Sequence, residues 1–125
     1  MSLDAVGIVS NDTSKSVKFY KILGIILEPI GGPDHLEGST PSGVRIMVDD
    51  VELIKKINPN YVEPTGSGMV LCFVQESTEA VNKIYAQVIE AGFESVKEPW
   101  DAFWRQRYSS VLDPDGNQID LFADL

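Results

Sequence analysis

Along this chain the spacing of apolar and polar positions changes period in an order that occurs twice. "LDAVGIV" (3–9) is a short, nearly continuous apolar run, the pattern of a buried strand. "SNDTSKSVKFYKILG" (10–24) shifts to helical spacing. There Val17, Tyr20 and Leu23 share a stripe, Asn11, Asp12, Thr13 and Ser14 offer N-cap oxygens, and Gly24 is a natural stop. "IILEPI" (25–30) predicts a strand, Gly31-Gly32-Pro33 a turn, and "HLEGST" (35–40) a weak strand. Pro41-Ser42-Gly43 predicts a second turn, and "VRIMV" (44–48) an alternating strand. "DVELIKK" (50–56) predicts one extra helical turn.

The second half repeats the order. "MVLCFV" (69–74) predicts a strand. "ESTEAVNKIYAQVIEAG" (76–92) predicts a helix with a Ser77/Thr78 cap, a Val81, Ile84, Tyr85, Val88 stripe and a Gly92 stop. "FESVKE" (93–98), "RYSSVLD" (107–113) and "QIDLFA" (118–123) predict three more strands. Thr13 answers to Thr78, Lys18 to Lys83 and Tyr20 to Tyr85, while Gly24 answers to Gly92 after a three-residue extension. The chain thus divides into a βαβββ module at 1–56, a linker at 57–67 ("INPNYVEPTGS") and a second module at 68–125, within one domain. One such unit covers only one face of its sheet with one helix, so two are expected to pair.

Composition narrows the functional classes. The 125 residues are 43% hydrophobic and 23% charged, which is globular composition. A single cysteine, Cys72, rules out an internal disulfide and suits a reducing cytoplasm. A formal charge of −9 argues against nucleic acid or an anionic membrane as partner. No apolar run approaches the roughly 20 residues of a membrane span, and nothing resembles an export signal. The expectation is a cytoplasmic protein, with a cationic ligand as the sharper reading of its acidity.

Strand-helix-three-strands, twice, ending in "RYSSVLDPDGNQIDLF", with "SVKFYKILG" after the first strand, resembles the vicinal oxygen chelate superfamily. Its members include glyoxalase I, extradiol dioxygenases, and fosfomycin- and bleomycin-resistance proteins. The turn inside the terminal motif is independently sound. Pro114 presets φ, Asp113 and Asp115 can bond their own backbone, and Gly116-Asn117 tolerate positive φ. The resemblance implies an α+β fold in which tandem modules form a cupped mixed sheet, with the site in the cup.

Metal-dependent relatives carry ligands on the cup-facing side of the first and last strands of each module. The resemblance places those positions at Ala5, Val70, Asp120 and either Met47 or Arg45. Zn²⁺ or Mn²⁺ requires several N, O or S donors at about 2.0–2.3 Å. Alanine and valine have none, methionine suits hard ions poorly and arginine repels them. His35, the only histidine, is expected in a Gly/Pro-flanked loop. No metal and no other cofactor is therefore expected, and the resemblance is to a bleomycin-resistance-like branch without the usual metal ligands.

Asp120 is the acid of interest. Alternation sets Gln118, Asp120 and Phe122 on one face and Ile119 and Leu121 on the other, so Asp120 should point into the cup. It either binds a ligand cation or hydroxyl, or is neutralised by Arg107 or Arg45. Trp100, Phe103 and Trp104 are expected on a loop, where large aromatics must cover core, a partner chain or a ligand. Bleomycin-resistance-like relatives stack tryptophans near this place on planar drug groups, which implies Trp104 first and Trp100 second as stacking residues. Many relatives have glycine where Arg105 stands.

Tyr108, with Ser110 on the same parity, is favoured as cup-lining, although a one-residue slip would exchange them for Arg107 and Ser109. Cys72 shares parity with Val70, and a small apolar filler is its favoured role over a reactive thiol. No nucleophile–histidine arrangement is available, and "GSG" at 66–68 lacks the helix start of a phosphate loop. The expected function is a non-catalytic protein holding a planar or cationic small molecule. The expected contacts are Trp104, Trp100, Phe103, Tyr108, Asp120, Met47, Arg45, Val70 and Cys72, with no catalytic residue assigned. The alternative is a glyoxalase-like lyase or isomerase using Asp120 or Tyr108, with or without a divalent metal. Open sheet edges and exposed aromatics also lead us to expect a homodimer, and a third reading makes the aromatic segment a contact for another protein.

Overall fold

The computed structural model describes residues 1–65 and 68–125. Gly66 and Ser67, at the end of the expected linker and in the glycine-containing "GSG", lie outside the described residues. The chain forms two compact units, Met1–Glu63 and Pro64–Leu125.

The first module runs β1 (Ala5–Ser10), α1 (Thr13–Ile22), β2 (Glu28–Pro29), β3 (His35–Ser39), β4 (Arg45–Asp50) and α2 (Val51–Ile57). Its sheet order is β1-β4-β3-β2, with β1 parallel to β4 and the other pairs antiparallel. Asp12 caps α1 by accepting from the backbone N–H groups of Ser14 and Lys15. The helix buries Ser16, Phe19 and Tyr20, a stripe rotated from the expected Val17–Tyr20–Leu23 one. The rotation is possible because the Ser16 hydroxyl is paired with that of Ser10 at 2.9 Å, so a small polar residue can face the sheet. Ile8, Leu36, Ile46 and Val48 complete this core.

The second module runs β5 (Val70–Val74), α3 (Thr78–Glu90), β6 (Ser95–Ala102), β7 (Gln106–Leu112) and β8 (Gln118–Asp124). Its sheet order is β5-β8-β7-β6, again with one parallel pair, β5 and β8. Ser77 caps α3, and Val81 and Val88 pack onto a core of Val111, Ile119, Leu121 and Ala123. The turn before β8 is organised by Asp113. Its Oδ1 accepts from the N–H groups of Asp115 and Asn117, and Gly116 takes φ +84°.

Two strands differ in length from expectation. Of 25–30 only Glu28–Pro29 forms the strand β2, with the Ile30 N–H still donating to the carbonyl of His35, while the N–H of Ile25 is taken by the carbonyl of Tyr20 at the end of α1. By contrast, β6 continues through Pro99 to Ala102, four residues beyond the expected end. A proline cannot donate to a ladder, but β6 is an edge strand with register shifts on either side of Lys97, where a missing donor is tolerated. Among the described residues, no helix is long and apolar enough to cross a membrane.

Candidate functional site

The extension of β6 moves Trp100 from the expected loop into the sheet, leaving only Phe103, Trp104 and Arg105 in the β6–β7 turn. Arg105 closes that turn at φ +69°, the one non-glycine residue with positive φ among the described residues. Relatives with glycine there would meet the same backbone requirement without a Cβ. The bulk and charge of Arg105 are thus accommodated by a left-handed residue.

Strand alternation sorts the side chains of this module. Ile119, Leu121 and Ala123 point to the α3 side and are buried, so Gln118, Asp120 and Phe122 share the opposite face. Cross-strand register extends that face in two rows. One row runs Val74, Phe122, Tyr108 and Trp100, and the other Cys72, Asp120, Ser110 and Lys97. Tyr108 and Ser110 therefore lie with Asp120. Arg107 lies on the other parity, bonded to Asp101 and to Asn82 of α3.

Phe122, Tyr108 and Trp100 of the first row join Trp104 of the turn in a continuous aromatic surface. Tyr108 stacks on Phe122 with centroids 5.6 Å apart and planes 19° apart. Trp104 stands edge-on to Tyr108 at 5.3 Å, to Trp100 at 5.5 Å and to Phe103 at 4.9 Å. Trp104 is fixed by its indole N–H, which donates to Oε1 of Gln106 at 3.0 Å, while Gln106 Nε2 donates to Asp124. Phe103 is 89% exposed and Trp104 44%, so the rim of this surface faces solvent.

The second row supplies polarity. Asp120 is only 8% exposed, yet its Oδ1 accepts from Ser110 Oγ at 2.7 Å and from Gln118 Nε2 at 3.0 Å. These neutral donors, rather than a cation, satisfy it. Arg107 is committed to Asp101, and Arg45 of the first module to Asp4 and Glu37. The Tyr108 hydroxyl donates to the exposed Cys72 sulfur at 3.9 Å. Burial first, and the negative charge of Asp120 second, push Tyr108 above the usual tyrosine range. Its phenol thus holds its proton. Val70 stands one step further along the face and is 42% exposed.

The first module presents a different surface on the corresponding face. Met47 lies over Gly7 of the neighbouring strand, with its Cε 3.9 Å from where a Cβ on that glycine would stand. Beside it is a charged network that the sequence reading missed. His35 opens β3, rather than lying in a loop, directly across from Asp49 on β4. Its Nδ1 is 2.5 Å from Asp49 Oδ1 and its Nε2 is 2.7 Å from Glu37 Oε2. Glu37 also accepts from Arg45, which bonds Asp4 at 2.7 Å. Both carboxylates favour the imidazolium, so His35 is raised above its ordinary pKa, chiefly by Asp49 and then by Glu37.

The residues do not fit the metal centre of metal-dependent relatives. Ala5 and Val70 offer no side-chain donor atoms, and both nitrogens of His35 are already engaged by the carboxylates of Asp49 and Glu37. Among the described residues, no group of three or more His, Cys, Asp or Glu is arranged to hold a metal.

A concavity of about 400 Å³ lies between the end of β5 and the first turns of α3. It is lined by Gln75, Glu76, Lys83 and Gln87 around Val74 and Ile84, with no aromatic ring.

The glyoxalase/bleomycin resistance protein/dioxygenase superfamily model matches residues 2–121. No curated protein matches the chain in sequence. A family enzyme from Burkholderia phytofirmans PsJN is 23% identical with TM-score 0.88, each chain being covered completely. A glyoxalase/bleomycin resistance protein/dioxygenase from Nocardioides is 25% identical with TM-score 0.77, covering 100% of this chain and 84% of that one. A hypothetical protein from S. aureus is 17% identical with TM-score 0.82, covering 94% and 89%. With two strand-helix-three-strand modules and a match over nearly its whole length, the chain belongs to the glyoxalase/bleomycin resistance protein/dioxygenase superfamily.

Proposed function

We propose that this member of the superfamily is a small-molecule-binding protein that works without a metal and without chemistry, holding a planar or cationic ligand on the aromatic face of its second module. The observation that carries this reading is the unbroken ring surface of Trp100, Trp104, Tyr108 and Phe122, with a solvent-facing rim. Ring faces open to solvent supply stacking area at low entropic cost.

Two features speak against acid–base chemistry by the residues on this face. Tyr108 keeps its proton because burial and Asp120 disfavour the phenolate, so it is a weak base and a poor acid near neutral pH. Oδ1 of Asp120 already holds two hydrogen bonds within its own sheet. A homodimer remains part of the reading, supported by β1, β2, β5 and β6 standing at the edges of their described sheets, and sedimentation at several concentrations tests it.

Titration of tryptophan emission with a panel of planar compounds tests the binding role. A saturable change for at least one compound, lost in Trp104→Ala, is the expected result. A flat response from every compound would remove the reading. Turnover of a glyoxalase-type substrate that is sensitive to Asp120→Asn or Tyr108→Phe would replace it with the lyase or isomerase alternative.

A further inference from the structure

The polar row of this face ends in a cation. Lys97 on β6 is the cross-strand partner of Ser110, which donates to Asp120. Its ammonium stands 4.8 Å from the centroid of the Trp100 ring. Strict alternation would send residues 97 and 100 to opposite faces of the strand. The register shift between them, at the segment containing Pro99, turns both to the same side. Among the described residues Lys97 has no carboxylate partner in an ion pair, and the side chain is exposed.

We propose that Lys97 selects the ligands of the aromatic face by charge, disfavouring planar cations and favouring planar molecules that carry an anionic group. This inference rests on the binding role proposed above and narrows it. A cation over a ring occupies the electron-rich face that a second cation would seek. A cationic ligand approaching Trp100 must displace the ammonium or accept repulsion from it. A planar body stacked on the rings could instead place a sulfonate or carboxylate beside Lys97. Asp120 offers little compensation to a cation, because it is almost fully buried and Oδ1 is already bonded by Ser110 and Gln118. The overall charge of −9 opposes anions at long range, but at 0.15 M salt such fields decay over roughly 8 Å.

The test uses three probes of one shape: naphthalene-2-sulfonate, 2-naphthylmethanol and 2-naphthyltrimethylammonium. Their affinities for the full chain, Lys97→Met and Lys97→Glu are measured by calorimetry at 0.15 M salt, with Trp104→Ala as the face control. Lys97→Met is expected to weaken the sulfonate about 2–5-fold, as befits a partly exposed charge contact. It should strengthen the ammonium probe and leave the neutral alcohol within twofold. Lys97→Glu should reverse the sulfonate–ammonium preference. If the alcohol binds and Trp104→Ala abolishes it, but the sulfonate-to-ammonium ratio is the same in all three proteins, the role of Lys97 is overturned and the binding role survives. If no probe binds the unaltered chain, both fall together.

Discussion

The hydroxyl of Ser110 donates a 2.7 Å hydrogen bond to Oδ1 of Asp120 across the β7–β8 pair. This contact, with that of Gln118, allows a carboxylate to sit almost fully buried next to stacked aromatic rings. Removing a donor from a buried charged acceptor exposes its desolvation cost. Ser110→Ala should therefore lower unfolding stability by about 1–3 kcal/mol in urea titration. The Ser110→Ala/Asp120→Leu pair should cost less than the sum of its single changes, because the unsatisfied carboxylate disappears with the donor. Strict additivity would contradict this view of the pair.

The His35 network gives the fold a pH dependence with a definite sign. The imidazole can donate to Asp49 and Glu37 together only when both nitrogens are protonated. Its folded pKa is raised above the ordinary 6.5, so the stabilisation is complete below that pH and is lost as pH rises through the folded value. The urea midpoint should fall across that alkaline-side window, and His35→Gln should flatten the decline. An unchanged pH profile in His35→Gln would rule the network out as its source.

Gly38 is fixed by space rather than by dihedral angle. A Cβ there would lie 2.7 Å from Ile25 Cγ2 and 2.7 Å from the backbone oxygen of Ile26. The backbone atom cannot rotate away, so β3 and the segment before β2 would have to separate. Gly38→Ala should cost about 1–3 kcal/mol by chemical denaturation, as overpacking does. A neutral result would mean that the 25–27 segment yields easily.

Arg105 closes the aromatic hairpin in the left-handed region, and its N–H bonds the carbonyl of Ala102 at 3.0 Å. Arg105→Gly should leave stability the same or slightly higher, since relief of strain is offset by a more flexible unfolded chain. Arg105→Val, with its branched Cβ, should be less stable than Arg105→Gly by roughly 1–2 kcal/mol in thermal or urea unfolding. Equal stability of the two variants would show that the turn can relax.

Local sequence signals revealed much of the frame. The Asp12 and Ser77 caps, the Asp113–Asn117 turn and the Ile119/Leu121 against Asp120/Phe122 alternation depend on neighbours within a few residues. What escaped depends on pairing between strands. His35 acquires Asp49 only when β3 lies beside β4, and no spacing in the sequence announces that partner. Pro99 reads as a strand end, although on an edge strand it marks a bulge that brings Lys97 and Trp100 to one face. The burial of Phe19 in place of Val17 depended on Ser10 being available to satisfy Ser16.

Ligand binding on the aromatic face of the second module would be felt first by the indole N–H groups of Trp100 and Trp104. In ¹H–¹⁵N spectra of the full chain titrated with naphthalene-2-sulfonate, both indole signals and the amides of Tyr108 and Phe122 should shift together and saturate with one dissociation constant. Saturable shifts confined to Gln75, Lys83 and Gln87 around the groove by α3, with both indole signals stationary, would place the ligand there and not on the aromatic face.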